Sequence, residues 1–355
     1  MKFLIIRFSS IGDIVLTTPL IRCLKKQVPD AEIHYLTKES FYSTIEKNPY
    51  IDKIHLLAHS QELMIHELKL EEYDYVIDLH HNIRTWRVKK ALGKTSYSFN
   101  KLNIQKYIYV NLKWNVMPGV HIVDRYLKTV ELFNVKNDGA GLDYFIPEKD
   151  ETRKNDIPAS HLAGYIGIVI GAAHNTKKYP VHKLKDLCAQ LDHPVILLGG
   201  KEDKKNGDEI ASIDPVRIYN ACGKFNINES ADLVRKSKLV VSNDTGLMHI
   251  AAAFKKPIIS LWGNTVPSFG MYPYYGENYL SGFTKTKKSV EAQNIVETQN
   301  IASLQNNLPY DILQVNKLKC RPCSKIGYDK CPKKHFKCME KIEVSEVLNA
   351  IYARL

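Results

Sequence analysis

Short apolar runs alternate with amphipathic stretches along most of this chain. "KFLIIR" (2–7) is a compact apolar run that breaks at a polar loop, and helical spacing then continues through Leu24. "AEIHYLT" (31–37), "IDKIHLL" (51–57) and "YDYVIDLH" (73–80) follow as further strands, each after a polar or helical stretch. The spacing of "HIVDRYLKTVELFN" (121–134) predicts one long amphipathic helix. Residues 137–160, rich in Gly, Pro and charge, read as a linker. Alternation then resumes with strands at "YIGIVI" (165–170), "PVILLGG" (194–200), "VRIYNACG" (216–223), "LVVSND" (239–244) and "PIISLWG" (257–263). Helices are expected between them at 181–191, 203–212, 229–237 and 246–254. Repeated β-α-β units imply parallel sheets with helices on both faces. The expected fold is α/β: two doubly wound, Rossmann-like domains split near residue 150 and facing across a cleft.

Length and charge refine that picture. A chain of 355 residues can bury two full cores. The start, "MKFLIIRFSS", has too short an apolar run for a signal peptide, and no stretch approaches the roughly 18 apolar residues of a membrane span. The seven cysteines form no small secreted framework, so the expected compartment is the cytoplasm, with reduced thiols. The net charge of +12 is concentrated: residues 82–130 hold ten Lys/Arg against the single acid Asp124, interleaved with Trp86, Tyr97, Phe99, Tyr107, Tyr109 and Trp114. Nucleic acid, anionic lipid or an acidic substrate would each suit that segment, as would a plain solvated face.

In open α/β sheets, ligands bind beyond the carboxyl ends of strands. Three such ends carry candidate chemistry. In "RFSSIGDIVLTTP" (7–19), Ser10 and Gly12 form a tight loop, and Asp13 stands at the mouth of a helix, where a capping role competes with a catalytic one. In "VIGAAHNTKKYP" (169–180), backbone amides, Thr176 and Lys177 could hold phosphate. In "VVSNDTGLMHIAAAF" (240–254), Asp244 ends a buried strand, Thr245 and Gly246 open a helix, and His249 lies one turn on, where, taken singly, it reads as a core histidine before it reads as a site residue.

Taken together these stretches resemble glycosyltransferase family 9, the bacterial ADP-heptose:lipopolysaccharide heptosyltransferases. The marks are "RFSSIGDIVLTTP", "GAAHNTKKYP" with Tyr179 where the family pattern has Trp, "LLGGKED", "GKFNINES" and "SNDTGLMHIAAAF…PIISLWG", in the family's order. The resemblance implies a GT-B fold, with residues 1–155 as an acceptor-binding domain and 156–340 as a nucleotide-sugar domain. It implies that the last helix, within 341–355, returns to the first domain.

Residue by residue, the resemblance implies that Thr245 and Gly246 meet a diphosphate, Asp244 faces the sugar and His249 supports the loop or the phosphates. Lys177, with Thr176 beside it, reaches the phosphates, and Glu229 binds the ribose hydroxyls. Asp13 becomes the general base of an inverting, metal-independent transfer from an ADP-sugar, with no cofactor required.

The acceptor implied is the acidic, lipid-anchored inner core of lipopolysaccharide. That suits the basic segment and implies peripheral contact with the inner face of the inner membrane. Ser10, Gly12, Arg84 and Lys89 are the expected acceptor contacts, with no nucleic-acid partner. The stretch "CRPCSKIGYDKCPKKHFKC" (320–338) leaves three readings of Cys320, Cys323, Cys331 and Cys338 open: reduced structural thiols, a zinc site or disulfides. Two alternatives to the heptosyltransferase reading stand beside it. One is a GT-B enzyme with another donor sugar or a sugar-nucleotide epimerase. The other is a non-catalytic nucleic-acid or membrane-binding protein.

Overall fold

The computed structural model describes residues 1–57, 61–284 and 308–355. Its first strand, β1 (Lys2–Ile6), is the run KFLII, with Phe3 to Ile6 wholly buried. A strand that is apolar on both faces belongs inside a parallel sheet covered by helices. β2 (Glu32–Thr37), β3 (Lys53–Leu56), β4 (Tyr75–Asp78) and β5 (Thr95–Ser98) complete a parallel sheet in the order β3-β2-β1-β4-β5. Along this half of the chain run α1 (Ile11–Val15), α2 (Thr18–Gln27), α3 (Gln61–Leu70), α4 (Ile83–Leu92), α5 (Asn103–Leu112) and α6 (Ile122–Leu127).

A second parallel sheet comprises β6 (Ile166–Val169), β7 (Val195–Leu198), β8 (Ile218–Asn220), β9 (Leu239–Asn243), β10 (Ile258–Trp262) and β11 (Tyr310–Gln314), in the order β11-β10-β9-β6-β7-β8. Among the described residues its helices are α7 (Val181–Gln190), α8 (Lys204–Ala211), α9 (Ile227–Lys236), α10 (Gly246–Ala253), α11 (Glu277–Thr284), α12 (Lys337–Glu340) and α13 (Val344–Tyr352). The strand order reverses between β1 and β4 in the first sheet and between β6 and β9 in the second. Such switch points open a crevice beyond the strand ends. The loops after β1, β6 and β9, which carry the three candidate motifs, all leave from these crevices.

Three expectations change in the structure. The helix expected over 121–134 is two pieces: α6 ends at Leu127, and a separate 3-10 turn covers Glu131–Phe133. The Thr129 hydroxyl donates to the Tyr126 carbonyl at 2.7 Å, and a local side-chain bond of this kind competes with helix continuation. The helix expected through Leu24 is likewise divided, into α1 and α2, with Pro19 in the first turn of the second, where its missing N–H is tolerated.

The last helix does not return to the first sheet. α13 packs on α7, β10 and β11, and its Val347, Ala350 and Ile351 join the second domain's core. The return was what the family resemblance implied; the apolar residues of this helix fill the second domain's core instead. The Arg354 guanidinium pairs with Asp311 of β11, which fastens the chain end to that domain.

The stretch 137–160 is an anchored connector. Arg22 of α2 holds Asp138 at 2.7 Å and also pairs with Asp143, while the Thr152 hydroxyl donates to Asp232 of α9 at 2.6 Å. The crossing back is made by residues 269–278. The Ile122 N–H donates to the Gly270 carbonyl at 2.8 Å, and the Asn278 side chain donates to the Asp138 carbonyl at 2.8 Å.

Candidate active site

α1 from the first domain meets α10 from the second at two glycines. A Cβ on Gly12 would stand 2.6 Å from the His249 ring and 3.3 Å from Gly246 Cα. A Cβ on Gly246 would stand 2.9 Å from Ile11 Cγ2 and 3.3 Å from Gly12 N. Neither glycine has a positive φ, so close backbone approach is the reason for glycine at both positions. The contact brings the Ser-Ser-x-Gly-Asp loop onto the Asp-Thr-Gly junction, so the first and third candidate motifs share one site.

Asp13 lies in that seam. One carboxylate oxygen takes the Arg7 guanidinium at 2.7 Å, and the other accepts from the Ser10 hydroxyl at 2.8 Å and the Ser10 N–H at 3.2 Å. Burial alone would raise the Asp13 pKa. The Arg7 charge and the Ser10 donors outweigh it and hold the carboxyl below its ordinary range. Asp13 is therefore ionised at neutral pH and held in one orientation. Ser10 orients Asp13, and its hydroxyl is engaged there rather than free for an acceptor.

Arg7 is a site residue the sequence reading missed. Its guanidinium also donates to the carbonyls of Ser9 and Leu79, so it ties the loop after β1 to the end of β4. A charged residue closing the apolar run KFLII, six positions before an aspartate, was the available signal.

On the second domain's side, the Lys177 ammonium lies 2.6 Å from Asp244 Oδ2, and the Thr265 hydroxyl donates to the same oxygen at 2.9 Å. Sequence reasoning brought Lys177 and Asp244 to one site but did not include Thr265. Thr245 is the N-cap of α10, yet its hydroxyl makes no capping bond, so it remains available to a ligand beside the amides of the first turn.

Thr176 requires a correction. Its side chain is buried, and its hydroxyl donates to the Tyr328 carbonyl at 2.9 Å while accepting from the Tyr328 N–H at 2.8 Å. That hydroxyl fastens the loop from behind and does not face phosphate. His249 is wholly enclosed, and burial lowers its pKa to about 4, so it is neutral at physiological pH. Its Nδ1 has no partner among the described residues. It can shape the seam or give a neutral hydrogen bond, but it offers phosphates no charge. Glu229 caps α9, accepting from the Asn226 N–H at 2.6 Å, and is only half-buried.

The acceptor-side expectations divide. Arg84 is exposed in the first turn of α4. The Lys89 ammonium is engaged instead: it pairs with the fully buried Asp78 at 2.9 Å and donates to the Ser98 hydroxyl at 2.7 Å. It neutralises a buried carboxylate at the end of β4 and is not free for an acceptor. Ile83 and Trp86 of α4, Ile104 and Tyr107 of α5, and Trp114 beyond it are exposed apolar residues in the same basic segment. α5 buries none of its side chains. A cavity of about 290 Å³, lined by His81, Asn100, Lys101, Asn103, Ile104 and Gln105, opens beside it beyond the ends of β4 and β5. Among the described residues, no helix is long and apolar enough to cross a membrane.

The family model for glycosyltransferase family 9 (heptosyltransferase) matches residues 63–298. The chain is 26% identical over 301 residues to lipopolysaccharide heptosyltransferase 1 of Campylobacter coli, covering 76% of this chain and 85% of that protein. It is 28% identical over 295 residues to lipooligosaccharide heptosyltransferase 2 of Haemophilus influenzae, with the same two coverages. Among solved structures, it is similar to E. coli ADP-heptose lps heptosyltransferase II, with a TM-score of 0.69 and 18% identity, covering 99% of this chain and 98% of that one. A glycosyl transferase family 9 structure from Veillonella parvula gives a TM-score of 0.72 at 20% identity, covering 99% and 96%. Both structural likenesses speak to the GT-B fold.

Proposed function

The chain belongs to glycosyltransferase family 9, and from that premise we propose that it transfers a heptose from an ADP-sugar to the inner core of lipopolysaccharide, with inversion and without a metal at the reacting centre. The observation that carries this reading is the seam itself. An oriented, ionised carboxylate on α1 meets a lysine, a free threonine hydroxyl and a helix N-terminus across the Gly12–Gly246 contact.

In this account, the second domain holds the donor. The Gly246 end of α10 and the Thr245 hydroxyl receive the diphosphate, and Lys177 swings from Asp244 to a phosphate oxygen. Asp244, steadied by Thr265, is then free to accept from a sugar hydroxyl. Glu229 offers its remaining carboxylate oxygen to the ribose diol. The acceptor hydroxyl approaches from the first domain and attacks the anomeric carbon on the face opposite the diphosphate. Asp13 takes its proton as the new C–O bond forms, and the bond to the ADP oxygen breaks with its electron pair leaving on ADP. Lys177 and the α10 amides offset the charge that ADP gains. Arg7 and Ser10 fix the carboxylate's direction. The low Asp13 pKa keeps the base ready at neutral pH and makes it a weaker base.

The exposed basic and aromatic surface around α4 and α5 supports an acceptor that is acidic and lipid-anchored. It also supports peripheral contact with the anionic inner face of the inner membrane, where each basic residue near the surface contributes about 1 kcal/mol. The direct test is transfer by the purified protein from ADP-heptose to core acceptor isolated from heptose-deficient cells, read by mass spectrometry. The reading predicts a product heavier by one heptose. Turnover with a different nucleotide-sugar only would move the assignment to another donor.

A further inference from the structure

The amino-terminal ends of the first sheet hold a polar cluster that the proposed reaction does not use. The parallel register pairs Lys2 with Glu32 and His34 with Lys53. Side chains recur on one face every second residue, so Lys2, Glu32, His34, Lys53 and His55 share a face. Further along the strands that face is apolar, with Leu4 and Leu36 in one layer with Met64 and Leu68 of α3. Tyr73, just before β4, joins the same layer. His34, His55 and Tyr73 are all buried. Buried nitrogen and oxygen atoms need partners, and these face one another.

The Glu32 carboxylate accepts from His34 Nε2 at 2.9 Å, so a neutral His34 presents Nδ1 as a lone pair. That nitrogen lies 3.2 Å from His55 Nε2 and 2.9 Å from the Tyr73 hydroxyl oxygen, which is itself 3.1 Å from His55 Nε2. Glu71 straddles the two rings. Its Oε2 is 3.7 Å from His34 Nδ1, and its Oε1 is 3.6 Å from His55 Nε2. The ligand-type atoms of His34, His55 and Glu71 all lie within 4.8 Å of one another.

We propose that His34 Nδ1, His55 Nε2 and the Glu71 carboxylate bind one zinc-type divalent ion, with the Tyr73 oxygen as the remaining donor. A tetrahedral zinc with bonds of about 2.0–2.1 Å holds its ligand atoms about 3.3 Å apart. The observed separations bracket that value, so small side-chain shifts close the site. The Glu32–His34 contact is the carboxylate–imidazole support that zinc-bound histidines commonly have. Two imidazoles with oxygen donors suit zinc, and the set contains no sulfur to favour a softer ion. β3 is a four-residue strand at the sheet's edge. The ion ties it to β2 and to the segment entering β4.

Two ammonium groups compete for the same carboxylate. Lys2 lies 2.7 Å from Glu71 Oε2, and Lys53 pairs with Glu71 Oε1. They neutralise Glu71 when no metal is bound. Their situations differ, however. The Lys53 side chain is 55% exposed, against 21% for Lys2. A long exposed side chain can swing its ammonium into water. Lys2 has a second carboxylate in Glu32, at 3.1 Å. Metal and the Lys53 ammonium are therefore alternative partners of Glu71, which gives the site a signature that a general affinity for zinc would lack.

The site lies at the opposite end of the sheet from the candidate active site and does not rest on the function proposed above. The test is calorimetric titration of zinc into full-length protein stripped of metal, with melting followed in parallel. One equivalent should bind and raise Tm. Affinity should fall at least 10-fold in His55→Gln and by about 10- to 100-fold in Glu32→Ala, which removes only the supporting carboxylate. In Lys53→Met it should instead rise, by up to about fivefold, because an exposed competing ion pair is lost. Cobalt(II) at one equivalent should give visible d–d bands without thiolate charge-transfer in the near ultraviolet. If His55→Gln fails to fold, the opposite responses of the two exposed positions still decide. Absence of zinc binding overturns the site. So does an affinity unchanged in Glu32→Ala and Lys53→Met, or a thiolate band with cobalt, since either places the ion elsewhere.

Discussion

Gly12 and Gly246 face each other across the cleft so closely that neither can carry a side chain without moving the other's helix: a Cβ on Gly12 would stand 3.3 Å from Gly246 Cα, and a Cβ on Gly246 3.3 Å from Gly12 N. This pair sets the distance between the Asp13 loop and the Asp244-Thr245-Gly246 junction. A reaction that depends on reactive geometry should therefore respond to it more strongly than overall stability does.

Gly12→Ala tests the spacing. The added methyl meets the buried His249 ring, and overpacking of this kind costs about 1–3 kcal/mol. We expect folded protein with a modestly lowered Tm and a kcat reduced by about 100-fold, the loss that a displacement of about 1 Å can cause. Melting and kinetics on the same preparation check this, and an unchanged kcat would mean that the seam does not set the reacting distance.

The donor pair is tested by Lys177→Ala. A charge-assisted hydrogen bond contributes about 1.5–3 kcal/mol, so ADP affinity should fall by roughly 10- to 150-fold. Calorimetry reads this directly. Thr176→Val, in contrast, removes only the bonds to Tyr328. It should weaken ADP through the loop's position, without the loss of charge that Lys177→Ala brings.

The acceptor surface is tested by reversing Arg84, Arg87 and Lys90 to Glu. All three are exposed on α4. Lys89 is left in place because it neutralises the buried Asp78. Acceptor KM should rise and binding to vesicles containing anionic lipid should fall, both most clearly at low salt, with ADP affinity unchanged. Normal vesicle binding and normal acceptor KM would reduce the cluster to a solvated face.

The β9–α10 junction was legible in the sequence because a continuous apolar run stops at Asp244 and a helix opens at Gly246, two local signals that tertiary packing does not reverse. Lys177 was singled out by the family resemblance, and the structure brings its ammonium to 2.6 Å from Asp244. What was not legible depends on residues far apart in the chain. Arg7 acts through Asp13 and through the carbonyl of Leu79, 72 positions away. Thr176 turns its hydroxyl to Tyr328, 152 positions away, so a residue type suited to phosphate serves as a fastener. Lys89 is claimed by Asp78 on a neighbouring strand. The place of α13 was taken from the family resemblance, and its Val347, Ala350 and Ile351 pack in the second domain instead.

The pH dependence follows from two groups. Asp13 is held below the ordinary carboxylate value of 3.8, so the Arg7–Asp13 pair stabilises the fold fully above that value and is lost as pH falls through the lower folded-state value. His249, lowered to about 4, stays neutral throughout the physiological range. The kcat/KM profile should therefore show no ionisation near the usual histidine value and an acid limb only below the ordinary carboxylate range. An acid limb near pH 6–7, the range of an unperturbed histidine, would point to a different base.

Asp13→Asn is the most direct measurement of the central claim. The amide can keep the Ser10 contact, but it leaves the Arg7 guanidinium without its anion, so a lowered Tm is expected, and ADP affinity serves to show that the donor site is intact. A positioned general base contributes about 10²–10⁴-fold. The account predicts normal ADP binding with kcat reduced by about that factor, whereas turnover within about threefold of wild type would contradict it and leave Asp13 as a helix cap.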